Sequence, residues 1–366
     1  MKIGIISDCH LGERRFRKIT NHGQNAFCSL NNQLFLESLE IFKENNIDQM
    51  IIAGDIFNTP NPDVQSILIA NKLKNIKNSN GKDIIVNILG GNHEYSQKSN
   101  SCGFHAFNIF DDIGNNIKTI YDSFFKIDYD DCCMTFIPYK SLNYKTFSEI
   151  YNGTLNEKLK NDVKLYGKER KHILIFHGFV DLNNDYIEDI SNESQENLFA
   201  LPKEIASNYN LIISGHIHLS SLIETENIKI LTPGSLMPSK ASLENNYNPC
   251  VYIYDTDNGS IVNYRLKNAP KIFSIDTNDI NKELENISNS NFYNSIYSIN
   301  YSGKMKDVDE YLYKKAIQNS LNISLRTNEN FDRGSENMKE IGDFWTFIKD
   351  NHFNYYDEFK EFIKEG

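Results

Sequence analysis

The 366-residue sequence contains no apolar run long enough to cross a bilayer, which takes about 20 consecutive apolar residues. Its first residues, Lys2-Ile3-Gly4-Ile5-Ile6, lack the basic, apolar and small-residue regions of a signal peptide. We therefore expect an intracellular, cytoplasmic protein without membrane contacts.

The sequence also lacks a Cys-x-x-Cys pair among its six cysteines. The adjacent Cys132 and Cys133 suit a strand with thiols on both faces better than a disulfide framework. This pattern indicates a reducing compartment.

Positive charge is scarce, since 38 Lys and Arg stand against 49 Asp and Glu, for a net charge of -11. This balance excludes a protein that coats nucleic acid by bulk electrostatic attraction. Any contact with DNA must be local or must depend on a partner.

Hydrophobic residues make up 40% of the chain, including 20 Tyr and 23 Phe, which is ample for a packed interior. The length exceeds one typical domain. We expect a catalytic domain of about 250 residues with smaller additions.

Five short apolar runs, typical of buried strands, each end in polar residues. The runs and their endings are 2–7 with Asp8-Cys9-His10, 49–53 with Gly54-Asp55, 83–89 with Gly90-Gly91-Asn92-His93, 172–176 with His177-Gly178, and 211–214 with Gly215-His216-Ile217-His218. Helical spacing at 33–44 and 63–76 separates the first three runs, so the opening third predicts β-α-β-α-β and an α/β layered core. Ligands bind beyond the carboxyl ends of strands in such sheets, so we expect the five polar clusters to converge at one edge.

Later segments extend this layout. Shorter strand-like runs at 124–128, 133–137, 228–231 and 251–254 predict a second sheet stacked against the first. After Pro270 a further β-α-β-α-β pattern predicts a small α/β cap. The expected division is a catalytic domain over 1–268, a small α/β cap over 269–330 and a helical arm over 331–366.

The arm has apolar residues at helical spacing over 338–363, which indicates two short amphipathic helices. They either pack on the body of the chain or form an exposed arm that docks in a partner's groove. In the second case the partner-binding residues would be Ile341, Trp345, Ile348 and Phe359.

The polar strand ends supply the donors that metal-assisted phosphodiester hydrolysis needs. Two metal ions can neutralise phosphate charge and generate a hydroxide nucleophile, and they bind oxygen and imidazole donors. The candidate ligands are Asp8, His10, Asp55, Asn92, His177, His216 and His218. Each one alone is typical of an ordinary strand end, but the ordered set of five motifs is specific.

These five motifs resemble the calcineurin-like metallophosphoesterases, and the details are similar to the SbcD-type nuclease subunits of DNA break repair and phage recombination. The resemblance covers most of residues 1–256. Supporting details include Leu11-Gly12 after the first motif, Ile137-Pro138-Tyr139, and Pro233-Gly234-Ser235 after the last. Glu94 stands where the nucleases usually have Asp, and Asn58 stands where many of them have His or Asp.

The resemblance implies roles for individual residues. Asp8, His10 and His218 would hold one metal ion, Asn92, His177 and His216 would hold the other, and Asp55 would bridge the two. His93 would stay off the metals and would stabilise the transition state or protonate the leaving oxygen. The donor set suits Mn²⁺, with other divalent ions possible.

The resemblance further implies a homodimer and a coiled-coil ATPase partner of the SbcC type, which would bind the C-terminal helices. A basic cluster near the first motif, formed by Arg14, Arg15, Arg17 and Lys18, is predicted to contact the DNA backbone. The alternative for this cluster is a solvated loop.

Three other functions fit the sequence less well. A phosphoprotein phosphatase would carry an Arg soon after the Gly54-Asp55 turn, where this chain has none. A cyclic-nucleotide or other small phosphodiesterase would not require a cap or an arm. A non-catalytic scaffold would have lost ligands, and all seven are present.

Overall fold

The computed structural model describes residues 1–96, 101–103, 116–121, 124–139, 170–178, 207–225, 228–238, 247–290 and 294–327. No helix in these ranges is long and apolar enough to cross a membrane. The predicted arm, with Ile341, Trp345, Ile348 and Phe359, lies outside them.

The first sheet has six strands, of which four form its parallel core. Their order is β14-β13-β1-β2-β3-β6, with bounds β1 Lys2–Ile6, β2 Gln49–Ile52, β3 Ile85–Leu89, β6 Ile117–Ile120, β13 Cys250–Asp255 and β14 Ser260–Arg265. Strand β13 pairs antiparallel with β1 and continues the sheet towards the edge strand β14. Strands β1, β2 and β3 are almost wholly buried, which explains their continuous apolar sequences.

Two helices cover one face of this sheet. Helix α1 spans Ala26–Glu44 and begins where the Asn25 side chain accepts the backbone N–H of Cys28. Helix α2 spans Val64–Ala70, begins with the same kind of cap from Asp63, and continues as a 3₁₀ turn over Asn71–Leu73. Their apolar faces pack on the sheet and form one hydrophobic core.

The second sheet also has six strands. Their order is β11-β12-β10-β9-β8-β7, with bounds β7 Phe125–Asp128, β8 Cys132–Ile137, β9 Lys171–His177, β10 Leu211–Gly215, β11 Ser221–Glu224 and β12 Lys229–Thr232. Two short strands of two residues each, β4 Tyr95–Ser96 and β5 Ser101–Cys102, pair antiparallel.

The two sheets stack through a second core. Alternate residues of the first sheet, such as Ile3, Ile5 and Ile51, pack against Phe136 and Ile213 of the second. The predicted α/β fold with two stacked sheets is therefore confirmed. The five motif strands do not share one sheet, however, since β1, β2 and β3 belong to the first and β9 and β10 to the second.

The cap region has the predicted element order. A three-stranded parallel sheet carries two helices, with bounds β15 Ile272–Thr277, α3 Ile280–Ser288, β16 Ile296–Tyr301, α4 Glu310–Gln318 and β17 Asn322–Thr327. Its helices and sheet enclose their own core around Leu284 and Ile299. Ile296 and Leu321 join the core beneath the first sheet, so the cap packs directly on the larger unit.

Candidate metal centre

The loop after β1 places Asp8 and His10 in left-handed backbone conformations, with φ of 49° and 44°. Such values are unusual for residues other than glycine and persist only where surrounding contacts hold them. The Asp8 N–H donates to the Gly54 carbonyl at 3.1 Å, and the His10 N–H donates to the Asp55 carbonyl at 2.9 Å. The first motif is thereby fastened to the second.

The first predicted triad, Asp8, His10 and His218, comes together. Its ligand atoms all lie within 4.8 Å of one another. The Nε2 atoms of His10 and His218 are 3.1 Å apart, and Nε2 of His218 is 3.9 Å from Oδ1 of Asp8. The backbone N–H of His216 donates to the Asp8 carboxylate at 3.1 Å and aligns it.

The second predicted triad, Asn92, His177 and His216, also converges. Oδ1 of Asn92 lies 3.0 Å from Nε2 of His177 and 3.2 Å from Nδ1 of His216. Asn92 follows β3 of the first sheet, whereas His177 is the last residue of β9 and His216 follows β10, both in the second sheet. The first triad is divided in the same way, because His218 also follows β10.

Asp55 lies between the two triads, with φ of 50° at the end of β2. Its Oδ2 is 3.8 Å from Nε2 of His10 and 3.4 Å from Nε2 of His177. Its Oδ1 accepts the backbone N–H of His93 at 2.9 Å. One carboxylate therefore contacts members of both triads.

The His93 ring lies beside this centre, 4.6 Å from the His10 ring between centroids. Its Nδ1 is 2.9 Å from the Asn58 carbonyl oxygen, so Nδ1 carries a proton and donates it there. This bond fixes the ring and leaves Nε2 as the second acid–base atom. A ligand atom of His93 also lies within 4.8 Å of ligand atoms of His10 and Asp55.

Burial sets the protonation of most of the cluster. It raises the pKa of Asp8 to about 7 and lowers the pKa of His10 to about 3. Burial likewise lowers the pKa values of His216 and His218 to about 4 each. These three imidazoles are thus neutral at neutral pH, which is the form that binds metal ions.

Asp55 and His177 behave as a buried ion pair. Burial opposes both charges, but the attraction between the two side chains outweighs it, so the pKa of Asp55 falls below its ordinary range. The same attraction raises the pKa of His177 to about 10 against the effect of burial. A divalent cation beside Asp55 would replace the positive charge of that proton.

These residues fit divalent metal ions. Nδ1 of His10 is buried without a hydrogen-bond partner in the part of the chain that the structure describes. Within the same residues, the ion-pair contacts of Asp8 and Asp55 all come from histidines. Two buried carboxylates, an amide oxygen and neutral imidazoles form a donor set for such ions.

Two residues that sequence reasoning did not select support this geometry. Glu94, 1% exposed, accepts the backbone N–H groups of Asp55, Phe57 and Gly91 at 3.1, 2.8 and 2.8 Å, so it joins the second motif to the third. Burial and the neighbouring charge of Asp55 raise the pKa of Glu94 to about 8. Asn31 of α1 donates to the carbonyls of Cys9 and His10 at 2.8 and 3.1 Å.

The sequence signals for Glu94 were its place directly after Gly-Asn-His and its position where the resembling nucleases usually have Asp, whereas Asn31 gave none. The turn after β3 passes so close to the turn after β2 that only glycine fits at position 91. A Cβ atom there would lie 2.1 Å from Oδ1 of Asp55.

The four residues of the basic cluster lie in different surroundings. Arg14 pairs with Asp63 at 2.8 Å, and Arg15 pairs with Glu13 at 2.6 Å and donates to the Pro238 carbonyl. Lys18 donates from Nζ to the carbonyls of Gln318 and Ser320 in the cap, and burial lowers its pKa. Arg17 is exposed.

The chain belongs to the calcineurin-like phosphoesterase family, whose profile matches residues 1–220. Members of this family use divalent metal ions, which agrees with the ligand clusters found here.

Over 225 residues the chain is 29% identical to the DNA double-strand break repair protein Mre11 of Methanococcus maripaludis, an alignment that covers 61% of this chain and 53% of Mre11. The chain thus spans about half the length of this curated relative. Matches among solved structures include a novel archaeal phosphodiesterase, with 15% identity, a TM-score of 0.35, and coverage of 73% of this chain and 100% of that one. Another is a dimetal phosphatase from Danio rerio, with 11% identity, a TM-score of 0.38, and coverage of 69% and 91%.

Proposed function

We propose that this protein is a metal-dependent DNA nuclease, an exonuclease or endonuclease that hydrolyses phosphodiester bonds by a two-metal mechanism. The observation that carries the proposal is the pair of ligand triads with Asp55 in contact with both. The choice of DNA as the substrate draws on the similarity to Mre11.

In this proposal Asp8, His10 and His218 would hold one ion, Asn92, His177 and His216 would hold the other, and Asp55 would contribute to both sites. We take Mn²⁺ as the ion in both positions, because mixed oxygen and imidazole donors suit it. When bound, the ions supply charge neutralisation for the phosphate and lower the pKa of water.

His93 is the proposed catalytic residue. Its Nδ1–H bond to the Asn58 carbonyl keeps the ring in one orientation, and its backbone N–H is held by Asp55. A proton on Nε2 would then stabilise the developing negative charge or transfer to the leaving oxygen. Nδ1 keeps its own proton throughout, so only Nε2 exchanges one.

The division into catalytic domain, DNA-binding cap and partner-binding arm at 268 and 330 is also part of the proposal. Arg14, Arg15, Arg17 and Lys18 would position the DNA backbone, and Arg14 and Arg17 are the exposed members of this cluster. Neutralising the four charges should lower DNA affinity and flatten its salt dependence. Unchanged affinity and slope would remove the cluster from the interface.

Two protein partners are proposed as well. An SbcC-type coiled-coil ATPase would bind the arm through Ile341, Trp345, Ile348 and Phe359, so removing 336–366 should abolish co-purification but keep metal binding. A homodimer is supported by Val64 and Leu68, which are 73% and 60% exposed one turn apart on α2. Val64→Asp with Leu68→Asp should then produce a monomer in sedimentation analysis.

The test of the nuclease uses linear duplex DNA and bis-p-nitrophenyl phosphate, each with Mn²⁺. The parent should degrade DNA, and Asp8→Ala and His93→Ala should not. His22→Ala, which changes an exposed histidine outside the motifs, is the matched control and should degrade DNA like the parent. Cleavage of the small diester alone, even with the ATPase partner added, would favour a small phosphodiesterase. A parent that binds no Mn²⁺ in calorimetry would favour a scaffold.

A further inference from the structure

A cavity lies next to the candidate metal centre and shares His218 with it. The other lining residues that matter here are Leu219, Ser220, Tyr247, Tyr252 and Asn263. Strand β13 runs antiparallel to β1, with Tyr252 opposite Ile5 and Asn263 of β14 opposite Tyr252. The residues before Tyr252 therefore lie beyond the carboxyl end of β1, at the same edge as Asp8 and His10. The Ser235 N–H donates to the His218 carbonyl at 3.0 Å, which joins two of the lining residues.

The lining of this cavity is polar but uncharged. Among the described residues around it there is no Asp, Glu, Lys or Arg. The described lining therefore offers no cationic side chain to a phosphate or carboxylate. The lining therefore suits a neutral group that hydrogen-bonds.

The hydrogen-bonding groups are of two kinds. The hydroxyls of Ser220 and Tyr252 bond to each other, which uses one of their two hydrogens and leaves the other for a ligand. Asn263 is exposed at the cavity and offers both an amide donor and a carbonyl acceptor. The Tyr247 ring and Leu219 add apolar surface, against which a flat ring can pack.

The cavity volume is about 210 Å³. Cavities that take a whole drug-sized ligand measure roughly 300 to 1,000 Å³, so this one holds part of a substrate. Its position next to His218 selects the part attached directly to the reacting phosphate.

We propose that this cavity binds the nucleoside, sugar and base, esterified to the scissile phosphate, with Asn263 and the Ser220–Tyr252 hydroxyl pair as its recognition groups. The inference rests on the proposed phosphodiesterase function and deepens it. It makes the enzyme selective for nucleotide diesters over diesters that lack a nucleoside.

The test compares two diesters that share p-nitrophenolate as the leaving group. Thymidine 5′-(p-nitrophenyl phosphate) keeps a nucleoside on the phosphate, whereas bis-p-nitrophenyl phosphate keeps a second nitrophenyl group. The full chain with Mn²⁺ should show a kcat/KM at least tenfold higher for the nucleoside diester. In Asn263→Leu and in Tyr252→Phe this ratio should fall towards one, mainly through KM for the nucleoside diester. Asn286→Leu, an exposed position on α3 of the cap, is the matched control and should keep the parent ratio.

Calorimetry on the Mn²⁺-loaded protein gives a second readout that needs no turnover. Thymidine 5′-monophosphate should bind at least tenfold more tightly than inorganic phosphate, and Asn263→Leu should remove most of that difference. A parent ratio near one, or a ratio that neither variant changes, overturns the nucleoside site while the phosphodiesterase stands. A parent that cleaves neither diester but still prefers the nucleotide overturns the phosphodiesterase and supports the site.

Discussion

The contact between helix α1 and the first metal loop can be tested with a single substitution, Asn31→Leu. Leu is close to Asn in size but cannot donate to the carbonyls of Cys9 and His10. In the variant the His10 carbonyl still accepts the Glu13 N–H at 3.0 Å. The Cys9 carbonyl is therefore the one that loses its hydrogen-bond donor.

The structure also sets the size of the effect. A buried carbonyl without a partner costs about 1 to 3 kcal/mol, and the weakened bond at His10 about 1 more. Part of this free-energy cost is recovered because the substitution also removes Oδ1 of Asn31, which is buried without a partner in the described structure. We expect a net loss of about 2 kcal/mol, or a melting temperature lower by roughly 4 to 8 °C for a unit of this size.

Asn32→Leu is the matched control, because Asn32 is the next buried residue of the same helix and its Oδ1 has no partner within the described residues. It should leave the melting temperature of the metal-free protein within about 2 °C of the parent. Calorimetry should show Mn²⁺ affinity about tenfold weaker in Asn31→Leu only, since Asp8 and His10 need their loop held in a strained conformation. Equal melting temperatures and equal Mn²⁺ affinities in the two variants would refute this role of Asn31.

Four further outcomes are expected. Asp55→Asn should weaken Mn²⁺ binding at both positions, and calorimetry that still shows two tight sites would contradict the bridging role. His93→Ala should keep both Mn²⁺ ions but lower kcat on bis-p-nitrophenyl phosphate by roughly 10²- to 10⁴-fold; lost metal binding would show that His93 is a ligand instead. Lys18→Met should speed amide hydrogen exchange at the end of α4, because its bonds to the cap are lost, whereas Arg17→Met should not. The pKa of Glu94, about 8 against an ordinary 4.5, means that the folded metal-free protein keeps a proton that the unfolded chain releases. Its stability should therefore fall as pH rises from 6.5 to 8, and Glu94→Gln should show a shallower fall in melting temperature.

The strands were predictable because local sequence determines them. The motif strands combine short β-branched runs with polar endings, and each was placed within about two residues of its observed bounds. Five strands were missed. Strands β4 and β5 have two residues each, which is too short for a periodic pattern. Strands β6, β11 and β14 lack a continuous buried apolar pattern, and all four residues of β11 are exposed.

Helix ends were less predictable. Helix α1 begins at Ala26, seven residues before the expected 33, because Asn31 and Asn32 interrupt its apolar face in the sequence. Both are nevertheless buried, so the polarity of a residue did not indicate its exposure. The expected helix over 63–76 ends early because it tightens into a 3₁₀ turn at Asn71.

The metal-type residues could be selected from their spacing, but their arrangement could not. Which strand joins which sheet depends on contacts distant in sequence, so the split of each triad between the two sheets was not foreseen. The groups that hold the loops, Asn31 and Glu94, also act through long-range bonds to backbone atoms. Their residue types carry no motif of their own.

The split of each triad between two sheets has a consequence for how the protein matures. Neither sheet alone offers a full set of donors, since the first contributes Asp8, His10, Asp55 and Asn92 and the second contributes the remaining histidines. With these residues as the proposed ligands, a nascent or partly folded chain would hold a divalent ion only weakly. Tight metal binding, and with it the proposed hydrolysis, would then require the two sheets to have docked.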